Sequence, residues 1–409
     1  MKIQSLFEKV LLLVLCAGSL FSGVPAQKPG STVPRQEKLL NGLKLLMWTD
    51  PAAADVKVSI RVHSGSAFDP QGKEGVMQLL ADNIFPSADS KAFFSEDLGG
   101  SVEVVTNYDY IQINATAKPS SFVDLLQTLA QTVSNPTIDR DTTAALKKAL
   151  AEKLRLLEKD PAYVADQAAA KRLFGTFPYG RPQMGSVESL QRIDFADLQF
   201  AKERFLSADN ATVAIGGNFN GDLGFRAARR YFGAWLKSDK RVPSTFRQPD
   251  EPDTKVLEMT LEGAPARTTF ALRGFARNDP DYAASLVLEN VLKSRLQRNG
   301  AAVALSQSSR ALPGVLVVSV PGSAGFPFKS FSEKISESEF ARARSEAAAE
   351  ISRKTLFDQW LDVDTYHTTV TSDAGAFQKV SVADVQRVAD RLARNPVVSV
   401  LLKSPAAAQ

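Results

Sequence analysis

Hydrophobic and polar positions alternate with a period of two over residues 57–62, 101–105, 110–116, 256–261, 267–272 and 314–320, which predicts a β-strand in each stretch. Short turns such as Asn107-Tyr108-Asp109 separate some of these runs, and that spacing predicts antiparallel pairing. Elsewhere the apolar positions recur at helical spacing. Helices are expected over residues 72–85, 138–158, 280–296 and 336–360, each with one apolar stripe to lay on a sheet.

The pattern repeats along the chain. Phe195-Ala196-Asp197-Leu198-Gln199 returns as Val382-Ala383-Asp384-Val385-Gln386, and each copy leads through a basic amphipathic helix into a β-branched run, Ala211-Thr212-Val213-Ala214-Ile215 and Pro396-Val397-Val398-Ser399-Val400. Asp194 with Asp197, and Ser381 with Asp384, have the spacing of a helix N-cap and its third residue. The pattern predicts an α+β protein of two homologous halves, each an antiparallel sheet with helices packed on one face. Residues 237–255 are charged, contain three prolines and lack periodicity, so they are read as a linker between a first half at 27–236 and a second at 256–405.

Composition adds exclusions. A chain of 409 residues with 44% apolar and 23% charged residues has ample material for two cores and does not have the bias of a disordered chain. Its net charge of +4 is dispersed without a Lys/Arg block, which argues against nucleic acid as partner. Residues 1–26 carry Lys2 and Lys9, then an apolar run, then Val24-Pro25-Ala26; this reads as a signal peptide cleaved after Ala26, leaving no membrane span and an exported, periplasmic or secreted protein. The single cysteine, Cys16, lies in that leader, so no disulfide or cysteine-rich metal site is available. Only two histidines occur. His63 follows a strand and is read as a turn or surface residue, and His367 as a surface residue; a zinc site drawing on His63, His367 and Asp82 across the halves is the remote alternative.

Several short motifs, taken in order, resemble the pitrilysin/insulinase zinc peptidase family, which includes the mitochondrial processing peptidases. Leu40-Asn41-Gly42-Leu43-Lys44 resembles its opening strand, and the run at residues 64–75 (SGSAFDPQGKEG) its glycine-rich approach to the active-site helix. Phe177-Pro178-Tyr179-Gly180-Arg181-Pro182, followed by Gly185 and Glu188-Ser189-Leu190, is similar to the family's PYGRP block, and Asp209-Asn210-Ala211-Thr212-Val213 to a later strand start.

The resemblance implies what active members carry: an HxxEH motif whose two histidines share a zinc ion with a distant Glu, while the motif's own Glu is the general base for metal-bound water. Here that stretch aligns with Gln78-Leu79-Leu80-Ala81-Asp82. Gln78 and Asp82 replace the histidines, Ala81 replaces the base, and Lys153 stands at the third ligand position, with Glu152 one residue away. Ala81 has no proton acceptor, and one amide with one carboxylate is a poor zinc set. The resemblance therefore implies no zinc cofactor in this chain. For Asp82 and Lys153 two readings stand: an ion pair joining their helices, or, preferred, side chains directed to solvent.

Two further departures concern substrate. Where active relatives present an Arg and a Tyr from the second half, this sequence has Asn299 and Val303, with Arg298 beside the first. In the family's substrate-lining edge strand, Glu103 and Val104 are the substituted positions. An edge strand still captures an extended peptide through its main chain. The expected function is a non-catalytic homologue, partner in a heterodimer of an active subunit with an intact motif, supplying chamber wall and peptide contact. A stand-alone exported peptide-binding scaffold and a metalloendopeptidase with a rearranged site are the alternatives.

Overall fold

The computed structural model describes residues 32–238, 246–298 and 303–405. The signal peptide read at 1–26, Asn299 and the middle of the linker lie outside the described residues.

The first half runs β1 (Arg35–Lys38), β2 (Lys44–Thr49), β3 (Val56–Val62), α1 (Val76–Asp82), α2 (Ala88–Glu96), β4 (Ser101–Thr106), β5 (Ile111–Ala117), α3 (Phe122–Ser134), α4 (Arg140–Leu157), α5 (Pro161–Phe174), α6 (Val187–Arg192), α7 (Phe195–Phe205), β6 (Ala211–Gly217) and α8 (Gly221–Phe232). The second runs β7 (Leu257–Thr260), β8 (Arg267–Arg273), α9 (Tyr282–Arg298), β9 (Ala304–Ser308), β10 (Val315–Pro321), α10 (Phe328–Ser332), α11 (Glu337–Ser352), α12 (Leu356–Tyr366), α13 (Val370–Lys379), α14 (Val382–Ala393) and β11 (Val398–Lys403).

The sheets read β1-β2-β6-β3-β5-β4 and β7-β11-β8-β10-β9. Without β1, the two orders coincide element for element, so the repeat seen in the sequence is a repeat of topology. Both expected capping boxes form: Asp194 accepts from the Asp197 amide and Ser381 from the Asp384 amide, with each third residue bonding back.

Four expectations need correction. The sheets are mixed, because β2 pairs parallel to β6 and β7 parallel to β11. Alternation reports which face a residue takes and carries no information on strand direction, and the chain between those strands is long enough for a crossover. The Asn41-Gly42 stretch is the tight turn before β2 and not strand: Gly42 has φ +91°, and a Cβ there would stand 2.8 Å from Asp209 Cβ. Residues 336–360 form two helices, since Thr355 accepts a hydrogen bond from the Asp358 amide and starts α12 afresh.

Helices also cover both faces of each sheet. Along β2, Leu45 and Met47 face the first half's own helices, whereas Leu46 and Trp48 face Leu361 of α12 from the second half. Reciprocally, Ala165, Ala169 and Leu173 of α5 pack on Ala271, Val398 and Val400 of the second sheet. Strands β3 and β6 are accordingly buried almost throughout, while edge strand β4 alternates exposed and half-buried residues.

Candidate functional site

The site is built on α1, and the loop before it fixes where α1 starts. Gly65 lies so close to the β4–β5 turn that a Cβ would be 2.1 Å from the Asn107 carbonyl oxygen, and the Ser66 and Ala67 amides bond to Asn107 and Tyr108. Asp69 then turns its carboxylate onto the Gly75 and Met77 amides, each at 2.8 Å, capping α1 from within the loop. Burial pushes the Asp69 carboxyl up to about 7, against the pull of those two amides and of nearby Arg181. The Arg181 guanidinium donates to the Asp69 and Ala67 carbonyls, and Ser189 Oγ donates to the Glu74 carbonyl. The PYGRP stretch thus works as a bracket behind α1. The sequence marks these residues as a motif, but Asp69 itself carries no signal for its role.

On α1, Met77, Leu79, Leu80 and Ala81 are buried in the first core. Gln78 and Asp82, one turn apart, share the remaining face, and Gln78 Nε2 donates to Asp82 Oδ1 at 2.9 Å. Burial raises the Asp82 pKa; that hydrogen bond and the charges of Lys153 and Lys91 act in the opposite direction. Lys153 and Glu152 are exposed on α4, and Asp82 and Lys153 do not come within ion-pair distance. Thr143 of α4 instead reaches α1 through Asn83, at 3.4 Å.

Beside α1 runs β4, paired among the described residues only with β5, with Glu103 opposite Asn114 and Val104 opposite Ile113. Glu103 is exposed on this open edge and Val104 is half-buried against the first core. Val303 lies just before β9, the equivalent edge of the second half, packed against that half's core. Arg298 is held by Glu339. The structure therefore places Gln78 and Asp82 on one face of the helix beside edge β4, with Ala81 turned into the core and Lys153 near enough for its charge to act on Asp82 but outside ion-pair distance.

His63 corrects its assignment to a turn or surface. Its ring is enclosed between Thr365 Oγ1 and Thr212 Oγ1, each at 3.0 Å, because α12 of the second half covers the end of β3. Burial pushes it down to about 4. His367 ends α12 in the left-handed region and is exposed. The conceivable zinc set of His63, His367 and Asp82 does not assemble, since His63 is held by two threonines and Asp82 by Gln78.

Two family models match this chain: insulinase (peptidase family M16) over residues 44–186 and the peptidase M16 inactive domain over residues 192–323. This chain belongs to the M16 (insulinase) peptidase family. It is 21% identical over 257 residues to an uncharacterized zinc protease of Bacillus subtilis, covering 62% of each chain. It is 22% identical over 268 residues to a probable mitochondrial-processing peptidase subunit beta of Arabidopsis thaliana, covering 64% of this chain and 50% of that protein. The chain thus spans between half and 62% of the length of these relatives. A protease structure from Helicobacter pylori superposes with a TM-score of 0.81 at 16% identity, over 91% of this chain and all of that one.

The donor set of this M16 chain does not fit the zinc of the family's active members. The face of α1 offers one amide and one carboxylate already bonded to each other, with no imidazole. Among the described residues no group of three or more His, Cys, Asp or Glu side chains is placed to hold a metal ion. What α1 and β4 do offer is an open strand edge beside a helix whose polar face carries one amide and one carboxyl group. No helix among the described residues is long and apolar enough to cross a membrane.

Proposed function

We propose that this M16 chain is a catalytically silent subunit that pairs with an active zinc peptidase carrying an intact HxxEH motif. It supplies chamber wall and main-chain contact to an extended peptide substrate. The observation that carries this reading is the state of α1: the general base position is Ala81, a buried methyl group, and Gln78 and Asp82 at the two imidazole positions are bonded to each other. Without a proton acceptor at position 81 and without imidazoles to hold a metal, α1 lacks the parts with which the family's active members activate water. The scaffold around α1 is nonetheless kept in full, from the Asp69 cap to the Arg181 bracket, and β4 retains an unpaired edge able to add a strand. Similarity to a protein named as one subunit of a processing peptidase supports an assembled state.

The leader-like residues 1–26 place both partners in an exported compartment on this reading. A stand-alone exported peptide-binding scaffold uses the same β4 edge and differs only in needing no partner.

The test is purification of the full chain from its native exported fraction, followed by metal analysis and peptide cleavage. The expected result is stoichiometric recovery of an HxxEH-containing chain, with all zinc and all cleavage lost when that chain is removed. Stoichiometric zinc in the isolated chain, abolished by Asp82→Ala, would instead establish a rearranged peptidase site. A stable monomer that binds extended peptides and ignores HxxEH-containing chains would favour the scaffold.

A further inference from the structure

Behind α1, on the side away from Gln78 and Asp82, lies a cavity of about 390 Å³. Its walls are Phe68, Phe200, Phe205 and Phe246, contributed by the loop before α1, by α7 and by the segment leading to the second half. Phe68 sits 5.3 Å from Phe205 and 5.0 Å from Phe246, centroid to centroid, so the rings form a connected apolar surface. Phe200 closes the outer end, half exposed.

The charges at this cavity are asymmetrically committed. Both acids are spent: Asp69 accepts the Gly75 and Met77 amides, and Asp197 receives Lys73 Nζ at 2.7 and 2.6 Å on its two oxygens. The cations have donors left over. Arg181 uses its terminal nitrogens on the Asp69 and Ala67 carbonyls and on Glu74, yet its buried Nε has no hydrogen-bond partner. Arg204 lies over the rings of Phe200 and Phe205, at 5.9 and 5.6 Å, and makes no hydrogen bond or ion pair among the described residues.

From this arrangement we infer that the cavity is a binding site for a carboxylate bearing an aromatic or branched apolar group. The rings take the apolar body and Arg204 takes the carboxylate. A volume near the lower end of the ligand-site range suits one such residue and not a large cofactor. Arg204 is the deciding group: its guanidinium rests against two phenyl rings and has its fork of donors uncommitted among the described residues, which suits bidentate recognition of a carboxylate. The same chemistry is offered by a free aryl carboxylic acid and by the C-terminal residue of a polypeptide. The inference is independent of whether the chain is silent, because none of these residues belongs to the α1 polar face.

The test titrates the full-length chain with N-acetyl-L-phenylalanine, with its C-terminal amide, and with a decapeptide ending in free phenylalanine, following heat or chemical-shift change. Saturable binding of the acid at millimolar concentration is expected, with the amide and the Arg204→Gln variant each weaker by about tenfold or more. Arg204→Gln should keep the wild-type circular dichroism and melting temperature, and Arg226→Gln on α8 should bind as wild type. Tighter binding of the decapeptide than of the free acid identifies a polypeptide C-terminus as the source; equal binding identifies the small acid. Equal affinity for acid and amide, unchanged affinity in Arg204→Gln, or no saturable binding would overturn the inference.

Discussion

The two helices that cross between the halves solve the same problem with opposite chemistry. Helix α5 lies on the second sheet mainly through Ala165, Ala169 and Leu173, small or aliphatic side chains with no exposed surface, with Arg273 of the second sheet donating to the Leu173 carbonyl at 3.1 Å. Helix α12 lies on the first sheet through aromatic and acidic side chains interleaved along its length. Phe357 stacks on Trp48 at 5.0 Å, and the indoles of Trp48 and Trp360 both donate to the Thr32 carbonyl. The Arg61 guanidinium, 1% exposed, meets Asp362 at 2.7 Å and Asp358 at 3.3 Å, while Asp364 takes Lys44 and Thr212. A largely apolar contact of small residues gains from close approach and tolerates some sliding. A buried ladder of charges is costly to desolvate and gains little net stability, but it penalises any wrong register heavily. The first contact therefore supplies adhesion and the second sets how the halves sit together.

The largest effect that would break this comparison is at Arg61. Arg61→Met leaves Asp358 without a cationic partner among the described residues and Asp362 with Arg277 and Lys354 alone, and the stability loss in chemical denaturation should be about 3 kcal/mol or more. Because the loss falls on the half-to-half contact, unfolding should split into two transitions; a single transition with unchanged midpoint would contradict the assigned role. Next comes the α5 contact. Ala169→Leu forces a larger side chain between α5 and the second sheet and should cost about 1–3 kcal/mol, without a change in the salt dependence of stability.

The pH dependence separates the His63 contact with α12 from the cap of α1. His63 stays neutral in the folded protein down to about 4, whereas the unfolded chain takes up the proton near 6.5, so its contribution is present above 6.5 and lost as pH falls to about 4. Asp69 has the opposite sign: held protonated up to about 7 against 3.8 when unfolded, it loses stability as pH rises through that window. The two offset each other between about pH 4 and 7. His63→Asn should expose a stability that falls with rising pH, and Asp69→Asn one that falls with falling pH; parallel profiles in the two variants would refute both assignments. The smallest effect is at Lys153, exposed and unpaired with Asp82, where Lys153→Met should leave the melting temperature unchanged.

Much of this architecture can be read in the sequence where the cause is local. The capping residues Asp194 and Ser381, the edge pattern of β4 and the repeat all follow from short-range periodicity and side-chain chemistry, and so does the loss of imidazole at Gln78 and Asp82. What cannot be read depends on the other half of the molecule. His63 looks like a residue beside a turn until α12 covers it, and no local pattern distinguishes a parallel partner for β2 from an antiparallel one. Asp69 and Arg181 stand inside recognisable motifs, yet their job, holding α1 and lining the cavity behind it, exists only in three dimensions.

On the proposed function this chain contributes to peptide cleavage without performing it. The most direct measurement is the rate at which an HxxEH-containing partner, recovered with this chain, hydrolyses an extended peptide alone and with equimolar chain added back in the presence of zinc. The account predicts that add-back raises kcat/KM of the partner and that this chain by itself, with zinc, cleaves nothing. Zinc-dependent cleavage by this chain alone, or a partner rate indifferent to its presence, would contradict it.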